Sequence, residues 1–146
     1  MIAKETLDYG HRVEHLNGIV RLELVENSGA LLSLGSSLSE PLRNAIFLFL
    51  VPLGLTVLAI SLLRSRNLSM LAGCGVSLLI GGGLGNFIDR VLNDGAVVDF
   101  VSIGMGGLRT GIFNVSDVAI VAGSLLVFLG MRDRGADVPV SGTGSD

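Results

Sequence analysis

Residues 47–63 read FLFLVPLGLTVLAISLL, a run in which only Thr56 and Ser61 carry polar side chains. Traced back to Leu42, and at a rise of about 1.5 Å per residue, the segment is long enough to cross a hydrocarbon layer of about 30 Å. A helix buried in a soluble bundle keeps a polar stripe at helical spacing. This run has none, so it is read as a membrane span. Two further stretches share its character, 68–87 and 115–131, the last at the short end of the spanning range and charged only at Asp117. The fold expected is an α-helical integral membrane protein with three transmembrane helices, near 42–63, 68–87 and 115–131.

Composition agrees. The chain has 146 residues, of which 49% are hydrophobic and 16% charged, and its net charge is −3. With no basic excess to meet phosphates and aromatics at only 5%, nucleic acid is not an expected partner. The lone cysteine, Cys74, excludes an internal disulfide and a cysteine-rich metal site. Within Leu71–Ala72–Gly73–Cys74 it resembles a lipidation box, but too few apolar residues separate it from Arg64 and Arg66, and it is expected to pack inside the bundle. One domain is expected over 1–134. The Gly-, Ser-, Asp- and Pro-containing segment 135–146 has nothing to bury and is read as a disordered tail.

Basic residues set the orientation. Arg64 and Arg66 follow the first span, and Arg132 and Arg134 follow the third, so these ends are expected in the cytoplasm, with 1–41 and 88–114 outside. In the N-terminal segment, Ile19 to Leu24 alternates and reads as a short strand leading to Asn27–Ser28–Gly29, part of a small outer sheet. No apolar segment precedes it to carry it across a membrane, so further sequence upstream is expected.

Residues 81–117, GGGLGNFIDRVLNDGAVVDFVSIGMGGLRTGIFNVSD, concentrate polar groups where lipid penalises them. Asp99 and Asp117 are each open to two readings. Each is a helix cap, or the two converge and share one proton, the state in which a pair of carboxylates activates water against a peptide carbonyl. Asn86, Asp89 and Arg90 fall at i, i+3 and i+4, on one helical face, where Arg90 is able to neutralise Asp89 or a substrate group. Asn27 and Asn114 offer neutral amides to a peptide backbone or to the carboxylates, and Asn27–Ser28–Gly29 is equally an ordinary turn. Gly81, Gly82, Gly83 and Gly85 are read as points of close helix approach. His11 and His15 read as an exposed pair, and neither a metal nor any other cofactor is expected.

Taken in order, Asn27–Ser–Gly29–Ala30, Gly85–Asn86–Phe–Ile–Asp89–Arg90, Val97–Val98–Asp99–Phe100 and Phe113–Asn114–Val–Ser–Asp117 resemble the lipoprotein signal peptidase (signal peptidase II) family over roughly 19–131. The resemblance implies an aspartyl endopeptidase of the bacterial inner membrane. It would remove signal peptides from diacylglyceryl-modified prolipoproteins, with its active site on the extracytoplasmic side. It implies Asp99 and Asp117 as the catalytic dyad, with Asn27, Gly29, Asn86, Asp89, Arg90 and Asn114 binding substrate or supporting the site. It also implies a small extracytoplasmic β-cradle, to which the strand near 19–25 belongs, and a loop over the substrate at 91–112. Its partners would be lipid-modified prolipoprotein signal peptides and membrane lipid, while the oligomeric state stays open.

Members of the family have four transmembrane helices. The first of these and the Asp of an Asp-x-x-x-Lys motif find no counterpart here, with Lys4 as a candidate for the Lys, so a truncated gene model or a degenerate homologue is expected. Leu31, Leu32 and Ser116 also depart from the usual pattern, and no Pro precedes Phe113–Asn114. Two other functions are compatible with the residues: a catalytically silent homologue that binds lipopeptide, and a small transporter subunit relaying protons through the aspartates.

Overall fold

The computed structural model describes Leu7 and residues 9–29, 38–65 and 68–136. Lys4, Leu31, Leu32, Arg66 and the tail beyond Ala136 lie outside the described residues. Three long helices form the body: α1 (Glu40–Arg64), α2 (Met70–Leu92) and α3 (Val115–Ala136). Each is long and apolar enough to cross a membrane. The second runs five residues past its expected end because Asn86, Asp89 and Arg90 ride on its final turns. Arg64 and Arg132 stand together at one end of the bundle, and the sheet stands at the other.

In α1, residues Ile46–Leu50 are wound as a π-helix, with the Val51 N–H reaching the Ile46 carbonyl. The cause lies one residue on. Pro52 has no N–H, and its ring collides with the carbonyl four residues back in a regular helix, so the wider turn absorbs it. The Pro52 carbonyl accepts the Thr56 hydroxyl at 2.8 Å.

Glycine brings α2 and α3 into backbone contact. A Cβ at Gly75 would lie 2.7 Å from the Gly123 carbonyl oxygen, and one at Gly123 would lie 2.7 Å from that of Gly75. Of the run singled out in the sequence, Gly82 faces the backbone of Ser116, Gly83 faces Leu55 of α1, and Gly81 faces nothing. Gly85 leaves the space that the Ser116 hydroxyl fills. Gly85→Ala is therefore expected to destabilise the bundle by about 1 kcal/mol, the low end for overpacking because a hydroxyl can rotate. Ser116→Gly in the same chain should restore the melting temperature in detergent. An unchanged melting temperature for Gly85→Ala would overturn this packing account.

Four antiparallel strands lie in the order β1 (Val13–His15), β2 (Val20–Asn27), β3 (Val97–Met105) and β4 (Leu108–Arg109). The β1–β2 connection turns through Leu16, Asn17 and Gly18, all at positive φ. Between β2 and β3 the register changes. Leu22 opposes Val101, but Val25 opposes Asp99 and Asn27 opposes Val97, so β2 holds one extra residue between Leu22 and Val25. Beyond β3, Phe113 bridges to Val101 through hydrogen bonds of 2.9 and 2.8 Å, which pins the start of α3 to the sheet. The pairs Arg12–Glu23 and Arg21–Glu14, at 3.0 and 2.9 Å, are exposed and contribute little.

The strand expected from Ile19 to the Asn27–Ser28–Gly29 corner is β2, whose pairing with β3 continues past the bulge to Asn27. Two sequence expectations change. Much of 91–112, expected as a loop over the substrate, is folded as the end of α2, β3 and β4. Cys74 is exposed on the surface of α2 rather than packed inside, since the inward positions of that turn go to Ala72 and Gly75.

Candidate active site

The site forms where the sheet meets the bundle. Asp99 projects from β3 and is 2% exposed, while Asp117, in the first turn of α3, is 8% exposed. Three amides connect them. Asn27 Nδ2 donates to Asp99 Oδ2 at 2.9 Å, and Asn114 Nδ2 donates to Asp99 Oδ1 at 2.8 Å. The Asn114 Nδ2 group also donates to Asn86 Oδ1 at 3.1 Å, and Asn86 Nδ2 donates to Asp117 Oδ1 at 2.9 Å. The two carboxylates thus belong to one hydrogen-bonded network.

The direction of that network is fixed by the backbone. The Gly29 N–H donates to Asn27 Oδ1 at 2.9 Å and the Asp117 N–H to Asn114 Oδ1 at 3.0 Å, so both amides must turn their NH2 groups toward Asp99. Asn86 follows, because its oxygen already receives Asn114. Every amide in the network aims a donor at a carboxylate oxygen.

Asp117 fulfils the cap reading as well as joining the network. Its Oδ2 accepts the Asn114 N–H at 3.2 Å while Asn114 receives the Asp117 N–H, a reciprocal capping box at the start of α3. Asp99 lies in a strand and caps nothing. The bulge in β2 accounts for its contact with Asn27: side chains alternate along a strand, and a regular strand of the same sequence would put Asn27, five residues beyond Leu22, on the opposite face of the sheet from Asp99.

Arg90 is 7% exposed and joins the pieces. Its Nη2 donates to the Gly29 carbonyl at 2.6 Å and its Nη1 to that of Asn86 at 3.2 Å, tying the end of β2 to α2. The Phe47 ring lies 4.1 Å from its Cζ. On the same helix, Asp89 Oδ2 accepts the Val98 N–H at 3.4 Å, so it supports the start of β3. His11 and His15 are exposed, well apart from these residues in the fold.

Three cavities meet at the two aspartates. The first, about 420 Å³, is lined by both aspartates and Asn27 and continues along Val118, Val121 and Ala122 of α3. The second, about 280 Å³, shares Asn27 and Asp99 with it and opens beside Glu26, Ser28 and Gly29. A third, about 210 Å³, reaches Asp117 from the other side, past Phe47, Gly83, Asn86 and Arg90. Phe47, Val118 and Val121 were not readable as site residues, since an apolar side chain in a span looks the same whether it faces lipid or a cavity.

Burial holds the Asp99 carboxyl above the usual carboxylate range, with the Asp117 charge adding to it, while hydrogen bonds from Asn27 and Asn114 and the Arg90 charge oppose it. The folded chain therefore holds this proton more tightly than the unfolded chain. The stabilisation is complete below the ordinary value of 3.8 and is lost as pH rises through the raised folded value. The melting temperature in detergent should accordingly fall across that window, and Asp99→Asn should flatten the slope. An equal slope in the mutant would remove Asp99 as its source.

Three apolar helices with a small antiparallel sheet at one end make this a multi-pass membrane protein. The fold matches a solved bacterial membrane enzyme, determined by the in meso method at 2.3 Å resolution, with a TM-score of 0.80 and 25% identity, covering 98% of this chain and 84% of that one. Residues 1–132 match the Signal peptidase (SPase) II family, and the chain belongs to it. The lipoprotein signal peptidase of Treponema pallidum is 35% identical over 122 residues, which cover 80% of this chain and 65% of that protein's length. That of Treponema denticola is 32% identical over 128 residues, covering 82% and 74%.

Proposed function

We propose that this chain is an intramembrane aspartyl endopeptidase that removes signal peptides from diacylglyceryl-modified prolipoproteins. The observation that carries the reading is the pair of buried carboxylates, Asp99 and Asp117, held on one amide network and facing a common cavity. Family membership supplies the substrate class.

In this reading the pair holds one proton, carried by Asp99, whose burial favours the neutral form. Asp117, at a helix start that suits negative charge, takes a proton from a water between the two, and the oxygen attacks the scissile carbonyl. Asp99 donates its proton to the carbonyl oxygen as the tetrahedral intermediate forms. The C–N bond then breaks, the Asp117 proton passes to the departing amine, and the hydroxyl proton returns to Asp99 as the carboxyl product forms. Water is consumed, and the pair regains its starting protonation.

The substrate branches at the cleavage point into signal peptide, lipid-bearing cysteine and mature chain, and three cavities meet at the aspartates. The second cavity, on the sheet side, suits the mature chain, while the apolar first and third suit the two branches that lie in lipid. Asn27, Gly29, Asn86, Arg90 and Asn114 hold the site or the peptide backbone, and Asp89 supports it from α2 by holding the start of β3. With Arg64 and Arg132 at the end away from the sheet, the site faces the extracytoplasmic side of the bacterial inner membrane.

The test is incubation of the purified chain in lipid vesicles with a diacylglyceryl-modified precursor and with its unmodified form. Release of the signal peptide from the modified form alone is expected, and no cleavage of either would reject the reading.

A further inference from the structure

We infer that Phe47 is a positioning residue for the proposed peptidase, acting through Arg90 to hold the Asn27–Gly29 corner against Asp99. The inference rests on the peptidase reading for its effect on rate, though not for its effect on packing.

Among the described residues α1 contributes no buried side chain, and only Phe47 and Val51 reach the cavity beside Asp117. Phe47 lies inside the π-wound turn, a local geometry that recurs at functional sites. Its ring covers the face of a guanidinium whose two terminal nitrogens are committed to Gly29 and Asn86. The remaining nitrogen, Arg90 Nε, is buried without a hydrogen-bond partner. Nothing polar therefore holds that edge of the guanidinium, and the ring fixes its plane. The Gly29 carbonyl is gripped from that plane, and the Gly29 N–H in turn orients Asn27 toward Asp99. An aliphatic side chain at position 47 would fill the space and leave the plane free.

The experiment compares the wild-type chain with Phe47→Tyr, Phe47→Leu, Arg90→Gln and the double variant Phe47→Leu/Arg90→Gln. It measures cleavage of the lipidated precursor and melting temperature in the same detergent. Phe47→Leu should lower kcat/KM by about tenfold, equivalent to ~1.4 kcal/mol of cation–π attraction, while Phe47→Tyr stays within about twofold of wild type. In the Arg90→Gln background the leucine should cost no more than about twofold. Equal losses in both backgrounds, or a wild-type rate for Phe47→Leu, would overturn the inference. Should the wild type cleave nothing, the peptidase reading fails, and melting temperatures decide the inference: non-additive losses at positions 47 and 90 support it, and additive ones overturn it.

Discussion

Asp99→Asn and Asp117→Asn are each expected to lower cleavage of a lipidated precursor by roughly three orders of magnitude or more while leaving the chain folded and membrane-inserted. The two substitutions remove different things. Without a carboxylate at 117 nothing takes the proton from water, and without a carboxyl at 99 nothing donates to the carbonyl oxygen. Neither change is silent in the ground state. Because the amides around both carboxylates already present donors, a new side-chain NH2 meets another NH2, at Asn27 or Asn114 in one case and at Asn86 in the other. A lost buried hydrogen bond costs about 1 kcal/mol, so a modest drop in melting temperature should accompany the loss of activity. Cleavage near the wild-type rate by either variant would exclude the pair as the catalytic machinery.

Asn114 should show the second-largest effect, and one that separates into two parts. Its Oδ1 caps α3, while its Nδ2 bridges Asp99 and Asn86. Asn114→Ala removes both and is expected to destabilise the chain by about 2–4 kcal/mol, combining a lost cap with two acceptors left short of a donor. Asn114→Ser keeps an oxygen for the cap but has no amide to span the carboxylates. It should melt close to the wild type yet cleave about a hundredfold more slowly, because the two aspartates lose their common link. Parallel losses of stability and rate in both variants would mean that the bridge has no role beyond holding the helix.

Much of this was readable from the chain alone, for identifiable reasons. The spans declared themselves because lipid demands an unbroken apolar run, and Phe47–Leu63 has no alternative use in water. Asn86, Asn114 and Asp117 stood out because polar side chains at the ends of such runs are costly, Asn27 and Asp99 because they fall in the ordered motifs of the family, and the structure gathers all five into one network. Helical spacing placed Asp89 with Asn86 and Arg90 on one face of α2, and only the sheet shows that its carboxylate also meets the backbone of Val98.

What stayed hidden is what hydropathy cannot encode. Cys74 and Phe47 are both apolar residues in spans, yet one faces outward and the other covers an arginine. The loop expected at 91–112 became strands because pairing partners distant in the chain, Val20–Asn27 and Phe113, complete them. Gly123 and Gly130 stand singly in α3, and only the neighbouring helix reveals why they are glycine.

The additional residue in β2 separates two demands that a continuous strand would have to satisfy together. Upstream of it, which side chains share a face answers to the fit with β1 and with Val101–Ile103 of β3; downstream, the same choice answers to the chemistry at Asp99. Substitutions among Val20, Arg21 and Leu22 are thereby insulated from the orientation of Asn27. The outer half of this sheet is free to diverge to suit its surroundings while the inner half keeps its aim.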